Sequence, residues 1–97
     1  MKKIYVDIDQ TICTSSEDGT FPILSTIEYI NDLYRQGNHI TYWTDRGNTS
    51  GKDMCVFTYN QLTNWGCLFH ALKMGKPTYD VLIDKKSIHP RDLPIKP

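Results

Sequence analysis

The chain opens on Lys3-Ile4-Tyr5-Val6-Asp7-Ile8, a short run of β-branched and aromatic residues without clean alternation. That is the pattern of a strand buried on both faces. The segment from Asp9 to Gly19 is polar and turn-rich and reads as a loop. Pro22 stands where a helix can begin, and Ile23, Ile27, Ile30 and Leu33/Tyr34 recur at three- and four-residue steps until Gly37 ends them, which predicts an amphipathic helix. His39 to Thr44 then reads as a second strand, Asp45 to Gly51 as a polar loop, and Lys52 to Trp65 as a second helix stopped at Gly66. Cys67 to Leu72 is the expected third strand and Tyr79 to Ile83 the fourth, ended by the charged Asp84-Lys85-Lys86. From Ser87 the chain carries Pro90, Pro94 and Pro97 with no periodicity, so irregular structure is expected there.

Strands separated by helical segments imply α/β architecture: a small three-layer, Rossmann-like sandwich around a mainly parallel sheet of about four strands. The stretch from Lys73 to Tyr79 is too short for a crossover helix, although seven extended residues reach roughly 23 Å. The expected connection is therefore extended, or the third strand lies elsewhere. In such sheets reactive groups gather beyond the carboxyl ends of the strands. Here those ends carry Asp7 and Asp9, then Thr44, then Lys76, then Asp84.

Three carboxylates, one hydroxyl and one ammonium at one edge point to phosphoryl transfer. Clustered carboxylates repel one another unless a cation joins them, and hard oxygen donors without His or Cys suit Mg²⁺. Asp7, last in its strand, can be both metal ligand and nucleophile toward phosphorus, forming an aspartyl phosphate. Asp9, two residues on, falls on the same side if the backbone stays extended. It can protonate the leaving oxygen and later take the proton of the attacking water. Lys76 and Thr44 would stabilise the charge on the transferred group.

With these residues in view, the sequence resembles the haloacid dehalogenase superfamily of phosphatases. Val6-Asp7-Ile8-Asp9-Gln10-Thr11 looks like its DxDxT motif, Ile40 to Thr44 like its strand ending in Thr, Gly75-Lys76-Pro77 like its lysine motif, and Val81-Leu82-Ile83-Asp84 like its acid-ended strand. The resemblance implies Asp7 as nucleophile, Asp9 as general acid/base whose carbonyl also binds Mg²⁺, Thr44 and Lys76 as phosphate stabilisers, and Asp84 as the remaining metal ligand. Within the superfamily, Tyr42 to Gly47, Ser50-Gly51, Gln61-Leu62 and Trp65-Gly66 resemble very small members associated with capsular or surface polysaccharide biosynthesis. That likeness implies a sugar phosphate or a related metabolite as substrate. Gln10 stands where Gly is frequent, which is harmless only at negative φ. Lys85 stands where many relatives have a second acid, a change that weakens Mg²⁺ binding and keeps open the alternative of a degenerate domain that binds a phosphorylated ligand without turnover.

Composition narrows the picture. Ninety-seven residues, 39% hydrophobic and 23% charged, make one small domain spanning 1–97 with no room for a cap. A capless site is open, so either a large substrate or a second copy of the chain would close it. Arg46 is the candidate for a substrate anion, with Thr11 and Thr14 as further candidate substrate contacts. Eleven basic residues balance eleven acidic ones, which disfavours nucleic acid as a partner, and no run of about 18 apolar residues is present to span a bilayer. The simplest setting is the cytoplasm. Cys13, Cys55 and Cys67 form no CxxC pair, and Cys55 and Cys67 are expected as buried thiols. His39, His70 and His89 lack metal-ligand spacing, and Tyr42, Trp43, Phe57, Tyr59 and Trp65 are expected to pack in the core or beneath the helices.

Overall fold

The computed structural model describes residues 1–77. Its elements in chain order are β1 (Lys3–Val6), β2 (Cys13–Ser16), β3 (Gly19–Pro22), α1 (Leu24–Arg35), β4 (His39–Trp43), α2 (Cys55–Asn64) and β5 (Ala71–Lys73). The expected fourth strand, Tyr79 to Ile83, lies outside the described residues together with Asp84 and Lys85.

The main sheet has the order β1-β4-β5 and both pairings are parallel. Ile4 pairs with Ile40, Val6 with Tyr42, and Tyr42 with Leu72, so these side chains share one face of the pleat. Val6, Ile40 and Tyr42 on that face join Ile27 and Ile30 of α1 and Leu62 of α2 in a single buried cluster with Ile8, Ile12, Cys13 and Cys67. Burying each of these aliphatic side chains contributes about 1.5–3 kcal/mol against leaving it in water. Both helices therefore cover the same face, and the described residues make two layers rather than the expected three. The opposite face carries Tyr5, Trp43 and Lys73, whose ammonium lies 5.9 Å and 5.4 Å from the two ring centroids.

The first helix forms as its spacing predicts. It ends in a pair of reverse bonds, Gly37 N–H to Tyr34 O and Asn38 N–H to Leu33 O, and α2 ends the same way through Gly66 and Cys67. Asn31 is buried on α1, where it donates to Gly66 O at 2.9 Å and accepts from Leu68 N–H at 2.8 Å. One amide thus ties α1 to the chain leaving α2.

Four expectations need correction. The loop expected over 9–19 contains a hairpin: β2 and β3 pair antiparallel from Cys13↔Pro22 to Ser16↔Gly19. Thr14, Ser15 and Ser16 are all exposed, so the strand lacks the apolar alternation that marks a half-buried one. Pro22 is the last residue of β3, paired with Cys13, instead of starting α1, which begins at Leu24 with Ile23 as its cap. The third strand begins at Ala71, not Cys67, because Cys67 and Phe69 pack under the helices: Phe69 meets the rings of Tyr42 and Tyr59 at 5.6 Å and 5.8 Å. Finally, α2 starts at Cys55 and buries only Thr58 and Leu62, so Cys55, Phe57 and Tyr59 are exposed while Cys67 and Tyr42 are buried as expected.

Candidate functional site

The carboxyl ends of β1, β4 and β5 lie side by side because the strands are parallel and adjacent. Asp7 follows directly on β1. Its Oδ1 accepts the N–H of Ile8 at 2.9 Å and lies 3.5 Å from the Nζ of Lys76. The Asp7 side chain is 40% exposed, whereas that of Lys76 is 15% exposed, so the carboxylate faces solvent with a largely enclosed ammonium beside it.

The backbone does not stay extended past Asp9. Thr11 N–H and Ile12 N–H both return to Ile8 O, and Gln10 at the tip of this turn has φ 65°. Gln10 therefore occupies the left-handed region, contrary to the requirement for negative φ, at a cost of about 1–2 kcal/mol. The turn is held because Ile8 and Ile12 on either side of it are fully buried.

Asp9 sits in a separate ion pair. Arg46 donates from Nε to Oδ2 at 2.9 Å and from Nη2 to Oδ1 at 2.8 Å. The Arg46 side chain is 10% exposed, and its remaining nitrogen, Nη1, donates to Gln61 Oε1 at 2.7 Å and Thr58 Oγ1 at 3.3 Å on α2. A two-pronged pair of this kind, with the Arg46 side enclosed and the Asp9 side chain 36% exposed, is stronger than a single-pronged surface salt bridge. The hydrogen bond from Arg46 holds the Asp9 carboxyl below its ordinary range, outweighing the opposing effect of burial. Cys13 is fully buried and its Sγ donates to Asp9 Oδ1 at 3.6 Å; burial, then the Asp9 charge, pushes this thiol up. It is an inert neighbour rather than a nucleophile.

Thr44 is fully buried one residue beyond β4. Its N–H donates to Lys73 O at 3.0 Å, its carbonyl accepts from Lys76 N–H at 2.9 Å, and its hydroxyl accepts from Arg46 N–H at 3.1 Å. Asn48 adds a bond from its amide to Lys76 O at 2.8 Å. Through these bonds the loop after β4 positions both cations: Arg46 against Asp9 and Lys76 against Asp7.

The structure thus brings together Asp7, Asp9, Thr44, Lys76 and Arg46. Arg46 engages Asp9 where an open substrate anion was expected. Thr11 and Thr14 form no side-chain hydrogen bond to this cluster among the described residues; Thr14 lies on the hairpin opposite Phe21. Thr58 went unmarked in the sequence, and Gln61 entered there only through the family likeness, with no role at the site, although a Thr and a Gln beside Leu62 on a helix face that turns inward were a visible signal. Gln61 also lines an open groove of about 330 Å³ with Phe57, Asn60, Asn64 and Trp65. Among the described residues no group of three or more His, Cys, Asp or Glu side chains converges for a metal ion.

No protein-family model matches this sequence, and no curated protein matches it. Among solved structures it is similar to the crystal structure of an MCSG target from Vibrio cholerae, with a TM-score of 0.73 and 24% identity over 95% of this chain and 86% of that one. The likeness is one of fold. No helix among the described residues is long and apolar enough to cross a membrane.

Proposed function

We propose that this chain is a Mg²⁺-dependent phosphomonoester hydrolase of the haloacid dehalogenase type, with Asp7 as nucleophile and a small phosphorylated metabolite, such as a sugar phosphate, as substrate. The observation that carries this reading is the division of charge at one strand end: Asp7 is solvent-facing beside the Lys76 ammonium, while Asp9, two residues on, is held in its own pair by Arg46. A nucleophile and an acid/base need different surroundings, and here they have them.

In the first half-reaction an Asp7 oxygen attacks phosphorus and the alcohol departs. Lys76, 3.5 Å from Asp7, lies within reach of the oxygens that carry the transferred charge. In the second, water attacks the aspartyl phosphate and Asp9 takes its proton. Arg46 keeps Asp9 in the basic form that this second step uses. As an acid for the first step Asp9 has to gain a proton against that pull, so esters with acidic alcohols, which leave without a proton, are the better substrates.

The Asp7 carboxylate and the Asp9 carbonyl are hard oxygen donors of the kind Mg²⁺ takes, and no thiol or imidazole stands between them in the chain. They would hold the ion together with Asp84, which lies outside the described residues. Mg²⁺, when bound, supplies charge neutralisation at the phosphoryl oxygens. Closure of the capless site by a second copy of the chain belongs to the same proposal.

The test is hydrolysis of p-nitrophenyl phosphate with Mg²⁺ by the pure protein and by Asp7→Asn. Turnover in the first and its loss in the second is the expected result; equal rates would sink the assignment. The Arg46 hold on Asp9 also favours a second reading, a site that binds a phosphorylated ligand without turnover. Calorimetry with a hexose phosphate at saturating Mg²⁺ separates the two: heat of binding with no phosphate released supports the binding module.

A further inference from the structure

The Arg46 guanidinium is gripped from two sides. Two of its nitrogens hold Asp9, and the third donates to Gln61 at 2.7 Å and Thr58 at 3.3 Å on α2. Arg46 stands in a loop on a long, rotatable stem, so its own backbone bond to Thr44 leaves the head free to swing. On the side away from Asp9, what holds the head is α2. The orientation of the Asp9 carboxylate is therefore set across 52 residues of chain, from Asp9 to Gln61, by one continuous set of hydrogen bonds.

We propose that Gln61 is a positioning residue: through Arg46 it aims the Asp9 carboxylate at the water that hydrolyses the aspartyl phosphate. The assignment rests on the phosphatase reading above. In that step the water oxygen forms the new bond to phosphorus and its proton passes to an Asp9 oxygen. The bond between phosphorus and the Asp7 oxygen breaks, and its electron pair returns to Asp7 as carboxylate. The products are the Asp7 carboxylate, protonated Asp9 and hydrogen phosphate. Gln61 touches none of the reacting atoms; it decides where the base points, and small misplacements of a base are costly.

Gln61→Leu removes the acceptor without adding charge, and Gln61→Glu restores an acceptor of the same reach. Steady-state kinetics on p-nitrophenyl phosphate with Mg²⁺, with acid-quenched phosphoprotein measured alongside, read the effect. Slowing only the second step lowers kcat by about tenfold or more and lowers KM with it, leaving kcat/KM within about twofold. Phosphoprotein accumulates in Gln61→Leu, and Gln61→Glu recovers most of the lost turnover. A kcat that is unchanged, or that falls with kcat/KM in step, overturns the proposal, because general damage to the fold would weaken the first step equally.

A second readout is independent of turnover. In proton–nitrogen NMR of the intact protein the Arg46 Nε–H is expected as a slowly exchanging signal, lost in Asp9→Asn and in Gln61→Leu but kept in Gln61→Glu. If that pattern holds while the wild type hydrolyses nothing, the phosphatase reading and the kinetic role fall together, and the hold on Asp9 stands alone. If Gln61→Leu leaves the signal intact, the positioning role fails whatever the activity.

Discussion

Substituting Gly47 by Ala places a methyl group where the loop has no space for one. Gly47 has φ 85°, and a Cβ there would lie 2.3 Å from the carbonyl oxygen of Lys52 and 3.5 Å from Cγ of Met54. The oxygen belongs to backbone, and the turn is closed by the bond from Gly51 N–H to Gly47 O at 2.8 Å, so neither partner yields cheaply. Left-handed backbone costs a residue with a side chain about 1–2 kcal/mol. Forcing an extra methyl group into a filled site adds about 1–3 kcal/mol. Gly51→Ala is the internal control, since φ there is 72° and a Cβ meets nothing within 4 Å. Both variants gain roughly 0.4–1 kcal/mol from a less flexible unfolded chain, which cancels between them. The expected losses are about 2–4 kcal/mol for Gly47→Ala and about 1 kcal/mol or less for Gly51→Ala. For a domain of this size each kcal/mol lowers Tm by roughly 4–8 °C. Urea unfolding at equilibrium, with m-values compared to confirm an unchanged unfolded state, measures the difference. Equal losses in the two variants would refute the contact argument and leave backbone conformation as the whole cost. Because Gly47 adjoins Arg46, the same variant is expected to weaken the Arg46 Nε–H signal.

Two further predictions concern stability. Asn31→Leu takes away the partner of the Gly66 carbonyl and of the Leu68 N–H, both part-buried, so urea unfolding should show a loss of about 1–3 kcal/mol, and a loss below about 0.5 kcal/mol would mean that water replaces both bonds. Asp9 is held below its ordinary value of 3.8 by Arg46, and a carboxyl lowered on folding contributes stability above its unfolded value that is lost as pH falls through the folded one. With divalent cations chelated, the stability difference between the wild type and Arg46→Met should be steady from neutral pH down to about pH 5 and shrink below about pH 4. Urea midpoints across that range check it, and a difference that grows on acidification contradicts the ion pair.

Much of the fold was legible in the chain because it depends on local periodicity. The three- and four-residue recurrence of Ile27 and Ile30 specifies the buried stripe of α1, and the β-branched and aromatic run His39 to Trp43 specifies a strand wherever it is placed. The hairpin was hidden because Thr14, Ser15 and Ser16 face solvent and carry no apolar alternation, so its pairing is decided by the partner strand. Cys67 and Phe69 looked like strand residues because they are apolar, yet they are apolar for the helices they pack under. An apolar residue states that it will be buried, not against what.

The site divides along the same line. By itself the sequence determined that Asp7, Thr44 and Lys76 follow strands and so share one edge of a parallel sheet. Only the tertiary structure decided that Arg46 turns away from solvent onto Asp9, that Thr58 and Gln61 hold it there, and that Gln10 takes a left-handed conformation between two buried isoleucines. Asp9 and Arg46 are 37 positions apart, and Gln61 is a further 15. No periodicity connects such distances. The pairing follows from the meeting of the β1 end, the loop after β4 and the inward face of α2, and that meeting exists only once the core beneath them has closed.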